Sequence, residues 1–121
     1  MKHSVLLVDD TETVLMFEKM MLAAQGFDIT VAKNGEEALV KVSEHKPDII
    51  LLDIQMPKMD GIEACRHLKA NPSTRDIPVV MVTTKGQPDK VEASFMAGCN
   101  DYLTKPIDKI ELLSKVRTLL G

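Results

Sequence analysis

Five short apolar runs punctuate the chain: SVLLV at 4–8, FDITVA at 27–32, DIILL at 48–52, IPVVMV at 77–82 and YLT at 102–104. Each is followed by a longer segment with helical spacing, namely Thr11–Gln25, Gly35–His45, Gly61–Ala70, Pro88–Ala97 and Ile107–Leu120. Four of the five runs are β-branched or continuously apolar rather than alternating in polarity. A strand that reads this way has both faces covered, the condition of a parallel sheet between two layers of helices. The predicted order is βα five times over, an open α/β sandwich. Gly26, Pro47, Pro72 and Gly98 fall just beyond the first four helical segments, where helices stop.

The 121 residues suit a single domain, 1–121, that buries about two-thirds of its surface without disulfide or metal staples. Fifteen basic against eighteen acidic side chains leave a net charge of −3, and there is no Trp, one Tyr and three Phe. Such a chain offers neither a basic face nor a stacking platform, so direct nucleic-acid binding is not expected. The longest apolar stretches are far too short to cross a membrane, and Met1, Lys2 and His3 lead directly into the first strand, so no leader or anchor is expected. Cys65 and Cys99 form no CxxC and read as reduced thiols of a cytoplasmic protein.

Ligands of an open parallel sheet bind beyond the carboxyl ends of its strands. The polar residues that close the runs therefore decide the chemistry. The first run ends in Asp9 and Asp10, the third in Asp53, the fourth in Thr83 and Thr84, and the fifth in Lys105 followed by Pro106. The second ends in Lys33 and adds nothing obvious. Taken singly, Asp10 or Thr11 reads as a cap of the first helix and Lys105 as a surface lysine. Four loaded closures on one edge point instead to a pocket. Three carboxylates brought together raise one another's pKa and call for a cation. Lys105 supplies one charge, and the remaining all-oxygen surroundings suit a hard divalent ion, Mg²⁺. An ion, an ammonium and a Thr hydroxyl together can hold a phosphoryl group, and Asp53 is the candidate carboxylate nucleophile.

These residues, VDD at 8–10, LLDIQMPKMDG at 51–61, VTT at 82–84 and AGCNDYLTKP at 97–106, resemble those of the receiver domains of two-component response regulators, in particular the single-domain chemotaxis type. The resemblance covers the whole chain. It implies a doubly wound (βα)5 flavodoxin-like fold with strand order 2-1-3-4-5. It implies that Asp53 takes a phosphoryl group from a phosphohistidine of a sensor histidine kinase or histidine phosphotransfer protein. Asp10, Asp53 and the Gln55 backbone carbonyl would bind Mg²⁺, with Asp9 acting through a metal-bound water. Thr83 and Lys105 would contact phosphoryl oxygens, and the peptide between Lys105 and Pro106 would be cis. Tyr102 falls at the switch aromatic, which turns inward as Thr83 moves and so remodels the face of the fourth helix, fifth strand and fifth helix.

Many relatives carry Ala or Gly where this chain has the bulkier Thr84. Gln55 and Lys85 occupy positions that modulate the lifetime of the aspartyl phosphate. The function implied is a signalling switch rather than an enzyme, its chemistry limited to its own phosphorylation and dephosphorylation. The downstream target would be another protein. The chain would be a monomer before phosphorylation, with a dimer as one outcome of it. A receiver excised from a longer regulator or hybrid kinase is the alternative, although no linker follows Leu120, and a phosphorylation-independent scaffold is the next. A flavin carrier would want a hydroxyl- and glycine-rich phosphate loop in place of DDTET, and an aspartate-based hydrolase an acid in place of Gln55.

Along the first helix, Val14, Phe17 and Met21 are expected to face the core, leaving Leu15, Met16 and Met20 on or near the far side. Methionines on such a face suit a docking surface for the histidine-bearing helical partner. His3, His45 and His67 have no ligand spacing and read as surface residues. Asp60 is expected to cap the third helix and Pro57 to fix the preceding turn. Glu36, Glu37, Lys41, Arg66 and Lys69 read as solvated.

Overall fold

A computed structural model describes residues 2–121. Its elements alternate as anticipated: β1 (Ser4–Val8), α1 (Glu12–Ala23), β2 (Asp28–Ala32), α2 (Gly35–Glu44), β3 (Ile49–Asp53), α3 (Gly61–Ala70), β4 (Val79–Thr84), α4 (Pro88–Met96), β5 (Asp101–Lys105) and α5 (Lys109–Leu120). All strand pairs are parallel, in the order β2-β1-β3-β4-β5. This is the doubly wound flavodoxin-like order, in which the winding reverses between β1 and β3.

The continuous apolar runs are explained by two separate cores. Leu6, Val8, Ile50, Leu52, Val79 and Met81 point to one face, where Ala38 and Val42 of α2 and Ile62, Cys65 and Leu68 of α3 cover them. Val5, Leu7, Ile49, Leu51, Val80, Val82 and Leu103 point to the other, against Leu15, Met21 and Leu22 of α1 and Leu112, Leu113 and Val116 of α5. Neighbouring residues thus enter opposite layers, as the period of two requires, and both layers must be apolar. β2 is the exception that alternates, with Asp28 and Thr30 exposed, because it lies at the sheet edge. Three helices start on carboxylate or amide caps: Asn34 accepts from the Glu37 N–H, Asp60 from Glu63 and Asp108 from Glu111. Each such cap contributes about 1 kcal/mol.

Two sequence expectations are corrected. The buried stripe of α1 is Leu15, Glu18, Met21 and Leu22, whereas Phe17 is 51% exposed and Val14 half-buried. The helix is rotated so that the Phe17 ring faces outward and the Glu18 carboxyl goes in. Leu15 therefore leaves the outer face and Phe17 joins Met16 and Met20 on it. Lys69 is not a solvated residue either. Its Nζ donates to the carbonyl oxygens of Arg75 (3.0 Å) and Ile77 (2.8 Å) and to Asn100 Oδ1 (2.9 Å), and burial holds its pKa below the ordinary lysine value. The three histidines are exposed, and Cys65 and Cys99 are free, buried thiols. Among the described residues, no helix is long and apolar enough to cross a membrane.

Candidate functional site

Backbone register brings the strand ends level. Val8 is paired with Leu52, Asp53 with Val82, Thr83 with Thr104 and Thr84 with Lys105. Asp53, Thr84 and Lys105 belong to the strands themselves, one or two residues beyond the apolar runs, because the ladder continues through them. α3 starts hard against the end of β3. A β-carbon at Gly61 would lie 2.1 Å from the Asp53 carbonyl oxygen, so only glycine allows this approach, and the Gly61 N–H donates to the Ile54 carbonyl oxygen at 2.9 Å.

At this edge Asp9, Asp10 and Asp53 each present a carboxylate oxygen, all within 4.8 Å of one another. Lys105 Nζ lies 3.3 Å from Asp9 Oδ2 and 3.5 Å from Asp53 Oδ1. Asp9 Oδ1 accepts the Thr11 N–H at 2.9 Å, which braces the start of α1, while the side chain of Thr11 caps nothing. Asp9 Oδ2 is buried without a hydrogen-bond partner, its approach to Lys105 being an ion contact only. Burial, reinforced by Asp9, pushes the Asp53 carboxyl up to about 6, with Lys105 pulling the other way. Burial pulls the Lys105 ammonium down, but Asp53 and Asp9 outweigh it and hold it above the usual lysine range.

One ammonium among three carboxylates leaves an excess of negative charge. The cluster is all oxygen, it contains a buried oxygen atom without a donor, and among the described residues it includes no His or Cys. A hard divalent cation such as Mg²⁺ fits that donor set. Asp9, Asp10, Asp53 and Lys105 are thus brought together. Thr83 is buried on the neighbouring strand, and its Oγ1 donates to the Thr84 carbonyl oxygen at 3.3 Å. Gln55, Thr84 and Lys85 are exposed, Gln55 in the β3–α3 loop and the other two where β4 runs out. The peptide between Lys105 and Pro106 is cis. Tyr102 is half-buried, edge-on to Phe95 with ring centroids 5.9 Å apart and with Lys115 Nζ 4.9 Å from its ring centroid.

Glu18 was missed by the sequence reading. It is 2% exposed, and burial, with Asp9 adding to it, pushes its carboxyl up to about 8. The available signal was its spacing, three residues after Leu15 and four before Leu22 on one helical stripe.

The chain matches the family model described as "Response regulator receiver domain" over residues 5–117. It is 42% identical to the response regulator PleD of Caulobacter vibrioides over 120 residues, which is 98% of this chain but 26% of that protein. The chain therefore spans about a quarter of that relative. The signal receiver domain of a histidine kinase from Syntrophus aciditrophicus is 37% identical, with a TM-score of 0.92 over 98% of this chain and 89% of the other. The receiver domain of a sensor histidine kinase of Pseudomonas aeruginosa, described with a magnesium ion coordinated in its active-site cleft, is 29% identical, with a TM-score of 0.93 over 100% and 99% of the two chains.

The raised carboxyls give stability a definite pH dependence. The folded-state values of Asp53 and Glu18 lie above their ordinary ones, 3.8 and 4.5. The native chain therefore holds more protons than the unfolded chain in that interval, and stability falls as pH rises through it. In metal-free solution Glu18→Gln is expected to match the wild type near about pH 5 and to exceed it, by on the order of a few kcal/mol, near about pH 9. Urea titrations at the two pH values check this, and an equal difference at both would remove Glu18 as the cause.

Proposed function

The chain belongs to the response regulator receiver domain family, and from that premise we propose that it is a phosphorylation switch whose acceptor is Asp53. The observation that carries the reading is the meeting of Asp53 with Asp9, Asp10 and Lys105 at one sheet edge. A carboxylate oxygen of Asp53 attacks the phosphorus of a phosphohistidine. The new O–P bond forms as the P–N bond breaks, and the bonding pair stays on the imidazole nitrogen, which takes up a proton. Lys105 follows the transferred group and holds one of its oxygens, and Thr83 turns its hydroxyl from the Thr84 carbonyl to another. Asp10, Asp53 and the Gln55 carbonyl would hold Mg²⁺, with Asp9 behind a bound water. When bound, the ion supplies positive charge that offsets the clustered carboxylates and the phosphoryl oxygens.

Movement of Thr83 frees space for Tyr102 to turn inward, and the α4–β5–α5 face changes with it. That face already carries exposed Phe95, Met96 and Ile110, suited to a protein target. Gln55, Thr84 and Lys85 border the pocket and set how fast water reaches the acyl phosphate. In this reading the chain is a signalling module rather than an enzyme acting on outside substrates. It resides in the cytoplasm, is a monomer before phosphorylation, and binds no nucleic acid directly. The phosphoryl donor docks its helices on the outer face of α1, where Met16, Phe17 and Met20 are 61%, 51% and 67% exposed beside the acidic pair.

Incubation with acetyl phosphate and Mg²⁺, followed by intact mass, is expected to show one added phosphoryl group that Asp53→Asn abolishes. Retention of the adduct by Asp53→Asn would overturn the assignment. In the same assay Lys85→Ala is expected to change the decay rate of the adduct, and an unaltered rate removes Lys85 from the lifetime argument. Met16→Glu combined with Met20→Glu should slow transfer from a phosphohistidine protein ~10-fold while leaving labelling by acetyl phosphate unchanged. Undiminished transfer would exclude α1 as the docking face.

A further inference from the structure

We infer that Gly35, the first residue of α2, is a positioning residue for the β3–α3 loop and through it for metal binding beside Asp53. The metal part rests on the magnesium reading above; the positioning part does not. Lys33, the residue after β2, pairs its ammonium with Glu12 on the surface and gives the pocket no side chain. What the β2–α2 turn supplies is a wall.

The loop runs from Ile54 to Asp60 and includes Gln55. It is held at both ends by backbone. On its own side Gly61 N–H donates to the Ile54 carbonyl oxygen at 2.9 Å, and from a different element Gly35 N–H donates to the Met59 carbonyl oxygen at 3.1 Å. The first N–H groups of a helix have no partner inside it. Asn34 Oδ1 accepts the Glu37 N–H at 2.8 Å, fixing the start of α2, and the Gly35 N–H is thereby left aimed at the loop.

Contact here is as close as two backbones allow. A β-carbon on Gly35 would sit 2.6 Å from the Met59 carbonyl oxygen, 2.9 Å from its Cγ and 3.0 Å from its Cβ. The nearest of these atoms is backbone and has no rotamer by which to yield. Gly35 has no left-handed φ, so it is the approach, not the torsion, that calls for glycine. The loop in turn has little slack. Lys58 takes a φ of 65°, and Met56 and Met59 pack half-buried against the core that α2 and α3 share. A displacement at Met59 is therefore passed along the short segment that leads back to Gln55 and Asp53.

Gly35→Ala tests this, with Val42→Ala as control because Val42 is buried in the same helix but lies two turns, about 10 Å, further along it. Both variants are compared with the wild type at a temperature where circular dichroism shows each one folded. In Gly35→Ala, calorimetric Mg²⁺ affinity is expected to fall about tenfold, as when an outer partner of a metal site is lost. The amide resonances of residues 55–59 are expected to move. Val42→Ala should lower stability and leave both readouts in place. Wild-type affinity in Gly35→Ala, or an equal loss in Val42→Ala, would overturn the inference. Should the wild type bind no Mg²⁺, the metal reading falls, and the amide resonances alone decide the positioning claim: unmoved signals refute it. If Gly35→Ala does not fold, hydrogen exchange of the wild-type Gly35 amide decides the positioning claim: slow exchange is expected for a donor held on the Met59 carbonyl oxygen, and exchange at the rate of an open amide refutes it.

Discussion

Three carboxylates crowd one ammonium at the carboxyl edge of the sheet, and the backbone ladder keeps them from separating. Asp53 is fixed by its pairing with β4, Lys105 by its pairing with β4 from the other side, and Asp9 by its bond to the Thr11 N–H. The like charges are therefore not relieved by relaxation, and the Asp53 carboxyl is displaced upward, first by its burial and then by the neighbouring Asp9. A site built this way is incomplete by its own electrostatics. It favours added positive charge, and that same preference makes the proposed phosphoryl chemistry feasible on a carboxylate that would otherwise be a poor nucleophile.

The two-layer core explains why such a site can be held so firmly. Every residue of β3 is buried, and its side chains enter the two cores alternately. Asp53 thus sits at the end of the most enclosed strand among the described residues, and one of that strand's neighbours, β1, leads directly into the other two acids. Reversal of the winding between β1 and β3 leaves that junction uncovered at its end, since the connections from the two strands depart to opposite faces.

Much of this was legible in the amino-acid order because it depends on local periodicity. The unbroken apolar runs carry the parallel sheet, and the acids, threonines and lysine that close them carry the pocket. What was not legible depends on which way a helix is turned and on where two backbones meet. Polarity alone places the Phe17 ring inward and gives no reason to bury Glu18; the rotation of α1 decides otherwise. Lys69 looked like any surface lysine, since the three oxygens that receive it come from residues 75, 77 and 100. The contact of Gly35 with Met59 joins positions 24 residues apart through main-chain atoms, which leave no trace in polarity or spacing.

The grip of Lys69 has a mechanical consequence. It fastens the connection after α3 to Asn100, whose side chain also accepts the Val79 N–H, so the ground on which β4 and β5 begin is rigid. α4 lies between those strands and is held far less: only Ser94 is buried in it, its first turn lacks a side-chain cap, and Gly86 and Gly98 flank it with φ of 81° and 102°. A lever pivoting between two fixed bearings needs this distribution of stiffness. The helix that would have to shift for a signal to leave the molecule is the one whose displacement disturbs the least.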